Sequence, residues 1–228
     1  MAKTFIAVPC MDQVPAQFAH NLATLSKVGE CVVGFQIGSL VYNSRNELAK
    51  KAIACGSDFT LWLDSDMVFE PDLLQRLMIH MVDPEISMVS GVYYRRVMPY
   101  SPVLYDKLDI QEGKCTYTET SFSMPETPFE IEACGFGAVL MRTNVLMSVA
   151  GKYGDMFAPL YGNGEDVSFC WRARQCGYKI ICDPSIQLGH VGHMVVNRDF
   201  ALSYSLSQLE RQKAFAEEYK ALEAEEHR

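Results

Sequence analysis

The chain has 228 residues, 49% of them hydrophobic, which is enough for one domain with a sizeable core. A formal net charge of -8 argues against a non-specific binder of nucleic acid or anionic membranes, because such proteins need a basic face. The N-terminus lacks an apolar signal core, and no stretch is long enough to span a bilayer. We therefore expect a soluble, cytoplasmic protein.

The first half of the chain alternates between strand and helix patterns. Short apolar or β-branched runs predict strands at residues 4–8, 31–37 and 59–63. Helices are predicted after Pro15, Ser44 and Pro71, with Ser44 as an N-cap. This β-α-β-α order favours a mostly parallel sheet covered by helices.

The second half is less regular. Residues 86–94 predict a strand, whereas residues 98–132 are rich in Pro, Thr, Glu and Tyr and are interpreted as a hairpin or a mobile loop region. Thr143 is expected to cap a short helix, and the strand at residues 178–182 is expected to end at Pro184.

An apolar strand is predicted at residues 133–141. It contains Gly135, Phe136 and Gly137, and glycines within a strand indicate that a backbone or a ligand comes close.

The end of the chain predicts a helix from Asp199 onward. Its apolar residues are spaced four and three apart, so its first half should pack on the domain or on a second subunit. We therefore divide the chain into a main domain (1–198) and a helical tail (199–228).

The eight cysteines form no Cys-x-x-Cys pair. In a chain that is not exported, free thiols are usual and behave as small apolar residues. We expect free thiols and no zinc site.

Two carboxylates, Asp64 and Asp66, follow the apolar strand that ends at Leu63. Alternate side chains of an extended chain point the same way, so both charges converge at the carboxyl end of the strand, where open α/β sheets bind ligands. A hard cation such as Mg2+ or Mn2+, itself held to phosphate oxygens, is the usual partner of such a pair. The competing interpretation is a solvated turn before the next helix.

Two further motifs carry titratable side chains. A glycine-rich turn delivers Glu165 and Asp166 into the first turn of a helix, where a general base would suit a cleft, although simple helix capping is the alternative. His190 and His193 stand beside glycines, and an imidazole would complement two carboxylates on Mn2+. A structural histidine is the alternative there.

Together these segments resemble nucleotide-sugar glycosyltransferases with the A-type fold, particularly the family-2-like group and its compact bacteriophage members. The resemblance rests on the order of Ser44-Arg45-Asn46, Leu63-Asp64-Ser65-Asp66, Gly164-Glu165-Asp166 and Gly189-His190, and it covers residues 1 to about 195. It implies an α/β fold, namely a single Rossmann-like domain whose mostly parallel central sheet is flanked by helices, with a C-terminal helix.

The resemblance also implies a metal-dependent donor site. Asp64 and Asp66 would hold the diphosphate through Mn2+ or Mg2+, with His190 as the best match for a histidine ligand and His193 as the alternative. Asp166 aligns with the general base of inverting members, and Glu165 would lie beside it at the acceptor. The residues expected to contact the donor are Pro9, Cys10, Met11, Asp12, Arg45, Asn46, Asp64, Ser65, Asp66, Gly135, Phe136 and Gly137.

The implied donor is a nucleoside-diphosphate sugar, with a UDP-sugar preferred, and Arg45, Arg95 or Arg96 could add charge-assisted contacts to its phosphates. The segment Pro9-Cys10-Met11-Asp12 departs from the threonine and asparagine of many relatives, so the residue that contacts the base is not assigned.

The implied acceptor is a hydroxyl of a modified DNA base, a protein or a glycan. The protein is expected to be a monomer or a homodimer, in the host cytoplasm if it is encoded by a phage.

Two other functions remain open at this point. A nucleotidyltransferase also places two acids on a metal, but it usually has a glycine-rich, basic phosphate loop near the first strand. A non-catalytic module that binds a sugar nucleotide would not need all of Asp64, Asp66, Glu165, Asp166 and His190.

Overall fold

A computed structural model describes residues 1–111, 113–192 and 195–226 of the chain. Within these residues the strands and helices follow one another in this order: β1 (Lys3–Cys10), α1 (Ala16–Thr24), β2 (Glu30–Ile37), α2 (Val41–Ala54), β3 (Phe59–Leu63), β4 (Met67–Val68), α3 (Leu73–His80), β5 (Met88–Val92), β6 (Leu104–Gln111), β7 (Lys114–Glu119), β8 (Phe129–Ile131), β9 (Ala133–Cys134), β10 (Ala138–Arg142), α4 (Thr143–Tyr153), α5 (Glu165–Gln175), β11 (Ile180–Gln187), β12 (Gly189–Val191), β13 (Val195–Val196) and α6 (Arg198–Glu226).

The central sheet has the strand order β2-β1-β3-β10-β5-β11-β8 in the described part of the chain. Strand β1 pairs in parallel with β2 and β3, and β5 pairs in parallel with β11. Strand β10 is antiparallel to both β3 and β5, and β8 is antiparallel to β11. Five strands therefore run in one direction, and the predicted mostly parallel sheet is confirmed.

Helices cover both faces of this sheet, as predicted. Helices α2, α4 and α5 contribute apolar side chains to one buried cluster, and α1 and α3 contribute to the other. Strand β3 lies between the two clusters, with Trp62 in the first and Leu61 and Leu63 in the second. Burial on both faces explains why β3 is a continuous apolar run and not an alternating one.

The predicted strand at residues 133–141 is wrong as a single element. Strand β9 belongs to a small sheet with β6, whereas β10 belongs to the central sheet, and the chain changes direction at Gly135-Phe136-Gly137. The group that approaches these glycines closely is the Tyr93 side chain. A Cβ at Gly135 would lie 1.8 Å from the Tyr93 hydroxyl, and one at Gly137 would lie 2.7 Å from its ring.

Both predicted N-caps are also wrong. Helix α2 begins at Val41, so Ser44 lies inside the first turn, where its amide donates to the Leu40 carbonyl. Thr143 is the first residue of α4, after Arg142, and its hydroxyl forms buried hydrogen bonds with Ser57 and Thr60 instead.

Two expectations for the second half have opposite outcomes. The hairpin interpretation of residues 98–132 is confirmed, since β6 and β7 pair in antiparallel fashion. Strand β11 does not end at Pro184 but continues to Gln187. The pairing register with β5 shifts between Cys182 and Gln187, so Pro184 falls where the ladder is already interrupted.

Helix α6 begins at Arg198, one residue before the predicted start, and its N-terminal part is anchored on the domain. Ala201 is fully buried, and Phe200 packs against the larger core cluster. Leu206 and Leu209 of the same helix are exposed. The division into a main domain and a tail stays a prediction.

All eight cysteines are free thiols, as the sequence predicts. Among the residues that the structure describes, no helix is both long enough and apolar enough to cross a membrane.

Candidate active site

A cavity of about 380 Å³ lies at the carboxyl ends of β1 and β3, beside the turn that joins β2 to α2 and the N-terminus of α5. Parallel strands end at the same edge of a sheet, so segments that are distant in sequence meet there. The predicted site residues that line the cavity are Pro9, Cys10, Met11, Arg45, Asp64, Ser65, Asp66, Glu165, Asp166 and His190.

Arg45 joins the two acidic motifs on one wall of the cavity. Its side chain is 2% exposed, and it donates from Nη2 to Asp64 Oδ1 at 2.6 Å and from Nε to Glu165 Oε1 at 3.0 Å. The guanidinium also lies over the rings of Phe136 and Trp62, at 5.3 and 5.7 Å. Burial alone would lower the pKa of Arg45, but the surrounding carboxylates raise it above its ordinary value, so the arginine stays charged.

Asp64 is the carboxylate that Arg45 holds. Burial raises the pKa of Asp64, and the negative charges of Asp66 and Glu165 add to this effect, while Arg45 opposes it. The two acids of the Asp-x-Asp motif therefore do not share the same surroundings, because only Asp64 contacts the buried arginine.

Asp66 faces two other partners. Its Oδ2 lies 2.9 Å from Arg96 Nη1 and 3.4 Å from His190 Nε2. Burial would raise the pKa of Asp66, but the hydrogen bond with His190 and the charges of His190 and Arg96 lower it. Asp66 is thus ionised at neutral pH.

The orientation of His190 is set by its other ring nitrogen. Nδ1 lies 2.8 Å from the carbonyl oxygen of Tyr94, which can only accept a hydrogen bond, so Nδ1 carries a proton. Nε2, the atom that faces Asp66, would offer its electron pair to a metal in place of the hydrogen bond to Asp66. A carboxylate and an imidazole oriented in this way are ligands that Mn2+ accepts, so these residues fit a divalent metal.

No group of three or more His, Cys, Asp or Glu side chains is arranged as a ready metal cage within residues 1–111, 113–192 and 195–226. Mg2+ and Mn2+ commonly take one or two carboxylates and complete their shell with phosphate oxygens and water, so a partial protein shell matches a metal carried by a diphosphate. The alternative ligand His193 lies outside the described residues.

Asp166 occupies the first turn of α5. Burial raises its pKa to about 6, with a further contribution from the charge of Glu165, while Arg45 acts in the opposite direction. Its Oδ1 accepts a hydrogen bond from the Val167 amide at 2.7 Å, and a Cβ at Gly164 would lie only 2.6 Å from this oxygen. One oxygen of Asp166 thus accepts from an amide in the first turn of α5, and the other oxygen takes no part in this bond.

Five predicted donor contacts do not line the cavity. Asp12 is exposed to solvent, and the side-chain oxygen of Asn46 accepts hydrogen bonds from the amides of Met156 and Phe157, both at 3.1 Å. Gly135, Phe136 and Gly137 belong to the turn before β10, where Phe136 is fully buried beneath Arg45. Phe136 therefore supports the arginine, and Asn46 fixes the segment that precedes α5.

The sequence did not assign the turn from Gly38 to Val41 to the site. Gly38, Ser39, Val41 and Ser44 line the cavity because this turn follows β2, the neighbour of β1. A Gly-Ser pair directly after a predicted strand was the available signal. Arg96 also lines the cavity, and it is one of the three arginines that the sequence offers for contact with phosphate.

Comparison with solved structures identifies the fold. The chain matches A197 from STIV with a TM-score of 0.62 and 18% identity, covering 87% of this chain and 91% of that one. It also matches GalNAc-T7, in a structure with UDP, GalNAc and Mn2+, with a TM-score of 0.57 and 11% identity, covering 84% of this chain and 43% of that one. The chain has the A-type glycosyltransferase fold.

Sequence comparison also finds glycosyltransferases as relatives of the chain. The chain is 26% identical over 153 residues to the pre-mycofactocin glycosyltransferase of Mycobacterium tuberculosis, in strains CDC 1551 / Oshkosh and ATCC 25618 / H37Rv. The match covers 64% of this chain and spans 29% of the length of these curated relatives. No family model matches the chain. The resemblance stated from the sequence motifs is thus confirmed for the fold and for the class of relative.

Proposed function

We propose that this chain is a metal-dependent glycosyltransferase that moves a sugar from a nucleoside-diphosphate sugar to a hydroxyl acceptor. The observation that carries the proposal is that one cavity brings Asp66 together with Asp166 and His190, which lie a hundred or more residues further along the chain. The sequence similarity to a glycosyltransferase supports the class of reaction.

The donor half of the site is assigned to Asp64, Asp66 and His190. Asp66 and His190 Nε2 would hold Mn2+ or Mg2+, and the bound ion would neutralise the charge that develops on the leaving diphosphate. Arg45 holds Asp64 in place and keeps a positive charge at the back of the cavity. A UDP-sugar is the preferred donor, and the presence of UDP and Mn2+ with the structurally similar GalNAc-T7 supports this choice.

The acceptor half is assigned to Asp166, with Glu165 beside it. With a pKa of about 6, Asp166 is largely ionised at pH 7 to 8 and still basic enough to take a proton from an attacking hydroxyl. Its Oδ1 is used by the Val167 amide, so we assign proton transfer to Oδ2. Such general-base catalysis contributes on the order of a hundredfold to ten-thousandfold in rate.

Isothermal titration with a panel of nucleotide sugars, nucleoside diphosphates and nucleoside triphosphates, with and without Mn2+, tests the proposal. We expect tight, metal-dependent binding of one nucleoside diphosphate and of its sugar conjugate. Preference for a triphosphate would favour the nucleotidyltransferase instead, and absence of binding across the panel would refute the proposed donor.

Two variants separate the halves of the site. Asp66→Ala should abolish metal-dependent donor binding while the far-ultraviolet circular dichroism stays that of the wild type. Asp166→Asn should bind the donor normally and lose sugar transfer to hydroxyl acceptors, offered as hydroxymethylated DNA, protein and glycan. Normal donor binding by the Asp66 variant would remove the metal role from this carboxylate.

A further inference from the structure

Arg96 reaches the cavity from a loop that helix α6 contacts. The backbone closes this segment, the 95–101 loop, because the Arg95 amide donates to the Ser101 carbonyl at 3.0 Å and Tyr94 forms an antiparallel bridge with Pro102. One arm of the 95–101 loop carries Arg96, whose guanidinium contacts Asp66. The 95–101 loop therefore connects Asp66, a predicted metal ligand, to the residues that pack against the tip of the loop.

The tip of the 95–101 loop packs on the first turns of α6. The ring of Tyr100 meets Phe200 and Tyr204 edge-on, with centroid distances of 5.0 and 4.8 Å, and the Tyr204 hydroxyl donates to Met98 Sδ. Tyr100 also has a φ of 57°, a left-handed conformation that a bulky side chain adopts only where its surroundings impose it. In this conformation the ring of Tyr100 packs against α6.

A second contact joins α6 to the same wall of the cavity. Arg198, the first residue of the helix, lies beside the hydroxyl of Tyr94. The carbonyl of Tyr94 is the group that fixes the ring of His190. Helix α6 is therefore linked to His190 through Tyr94, and to Arg96 through Met98 and Tyr100 of the 95–101 loop.

The charges at Asp66 give Arg96 two opposed effects. Arg96 neutralises a carboxylate that a divalent cation needs, so it should weaken the binding of the free ion. A diphosphate brings excess negative charge, and a half-exposed guanidinium at 2.9 Å from Asp66 is well placed to donate to its oxygens. The same side chain should thus disfavour the bare metal and favour the metal together with a diphosphate.

We propose that Arg96 binds the diphosphate of the donor, and that α6 is part of the donor site because Tyr204, acting on the 95–101 loop, positions Arg96. The proposal deepens the function proposed above and rests on it for the biological ligand. Tyr204 is a positioning residue, since it contacts the loop and not the cavity.

Inorganic diphosphate and Mn2+ are the probes that test this proposal, because neither depends on the identity of the base or sugar. Affinities are measured by isothermal titration for wild type, Arg96→Ala, Tyr204→Leu and the double variant. Arg96→Ala should weaken diphosphate binding in saturating Mn2+ by about 10- to 100-fold, the usual loss of a charge-assisted hydrogen bond, and should tighten the binding of Mn2+ alone. A variant that merely disturbs the fold would weaken both.

The double variant tests whether α6 acts through Arg96. Tyr204→Leu should change both affinities in the same directions as Arg96→Ala, by a smaller factor, and should have no further effect once Arg96 is absent. Leu206→Ala, an exposed site on the same helix, is the matched control and should bind as the wild type. Tyr204→Phe, which keeps the ring, should retain most of the affinity.

Three results would overturn the proposal. They are unchanged diphosphate binding by Arg96→Ala, loss of both affinities together, and a full effect of Tyr204→Leu in the Arg96→Ala background. Arg96-dependent diphosphate binding without transfer from any nucleotide sugar would reject the proposed enzymatic function and keep this inference. Transfer with an Arg96→Ala variant that binds diphosphate as the wild type does would reject the inference alone.

Discussion

Asp64 and Asp66 are separated by one residue, yet they belong to two different kinds of ionic network. Asp64 is held by Arg45, which is 2% exposed and also binds Glu165, whereas Asp66 is held by Arg96, which is 50% exposed, and by His190. Burial raises the pKa of Asp64, while hydrogen bonding and nearby positive charge lower that of Asp66. The two acids are almost equally exposed, at 26% and 25%, so the difference between them lies in their partners: a buried arginine holds Asp64, and a half-exposed arginine and a histidine hold Asp66.

Removal of the buried arginine should have the largest effect. Arg45→Met would leave Asp64 and Glu165 facing each other without a counter-charge, so we expect a loss of about 3 kcal/mol or more in the free energy of unfolding. Arg96→Met, the matched control on the exposed side, should cost less than about 1 kcal/mol. Urea denaturation measures both, and equal losses would erase the distinction between the two networks.

The two aspartates should differ in ligand binding. Asp66→Asn should weaken metal-dependent diphosphate binding by about 100-fold or more while unfolding at a similar urea concentration, because its partners are partly solvated. Asp64→Asn should keep more of that binding and should not lower stability, because burial raises the pKa of Asp64 and the fold therefore disfavours its ionised form. Isothermal titration and urea denaturation on the same preparations measure this contrast. Loss of metal-dependent binding by the Asp64 variant, with binding kept by the Asp66 variant, would reverse the assignment.

The sequence predicted those parts of the site that depend on local pattern. The apolar run at residues 59–63 matches β3, and Asp64 and Asp66 both line the cavity because they follow a buried parallel strand. Glu165 and Asp166 begin a helix as expected. The alternation of side chains along a strand is enough to orient Asp64 and Asp66, and the start of a helix is enough to orient Glu165 and Asp166.

The parts that the sequence did not predict depend on partners far along the chain. Asn46 adjoins Arg45, but its side chain binds amides about a hundred residues away, so proximity in sequence did not make it a cavity residue. The glycines at 135 and 137 make room for Tyr93, a contact that no local pattern contains. Arg96 reaches Asp66 only through the fold of its loop.

Asp166 should limit stability at neutral pH. Its pKa is about 6 in the folded protein, against an ordinary value of 3.8, so the folded state keeps a proton that the unfolded chain releases between these values. Stability therefore falls as the pH rises from about 4 to 6, and the penalty is complete above pH 6. Asp166→Asn cannot ionise, so it should be more stable than the wild type by about 1–2 kcal/mol at pH 8 and by little at pH 4. Thermal unfolding across this range measures the difference, and a constant difference would exclude ionisation of Asp166 as its cause.

Asp183 provides the opposite case outside the cavity and the smallest expected effect. Burial would raise its pKa, but hydrogen bonds from Ser185 and the nearby His80 lower it below the ordinary value. The ionised form therefore stabilises the folded state above pH 4, and this contribution is lost as the pH falls through the lowered pKa. Asp183→Asn should cost about 1 kcal/mol at pH 7 and progressively less toward pH 3, in contrast to Asp166→Asn, whose advantage over the wild type grows as the pH rises. The sign of the pH dependence would then separate a carboxylate placed for the fold from one placed for chemistry, and the same sign for both variants would refute that separation.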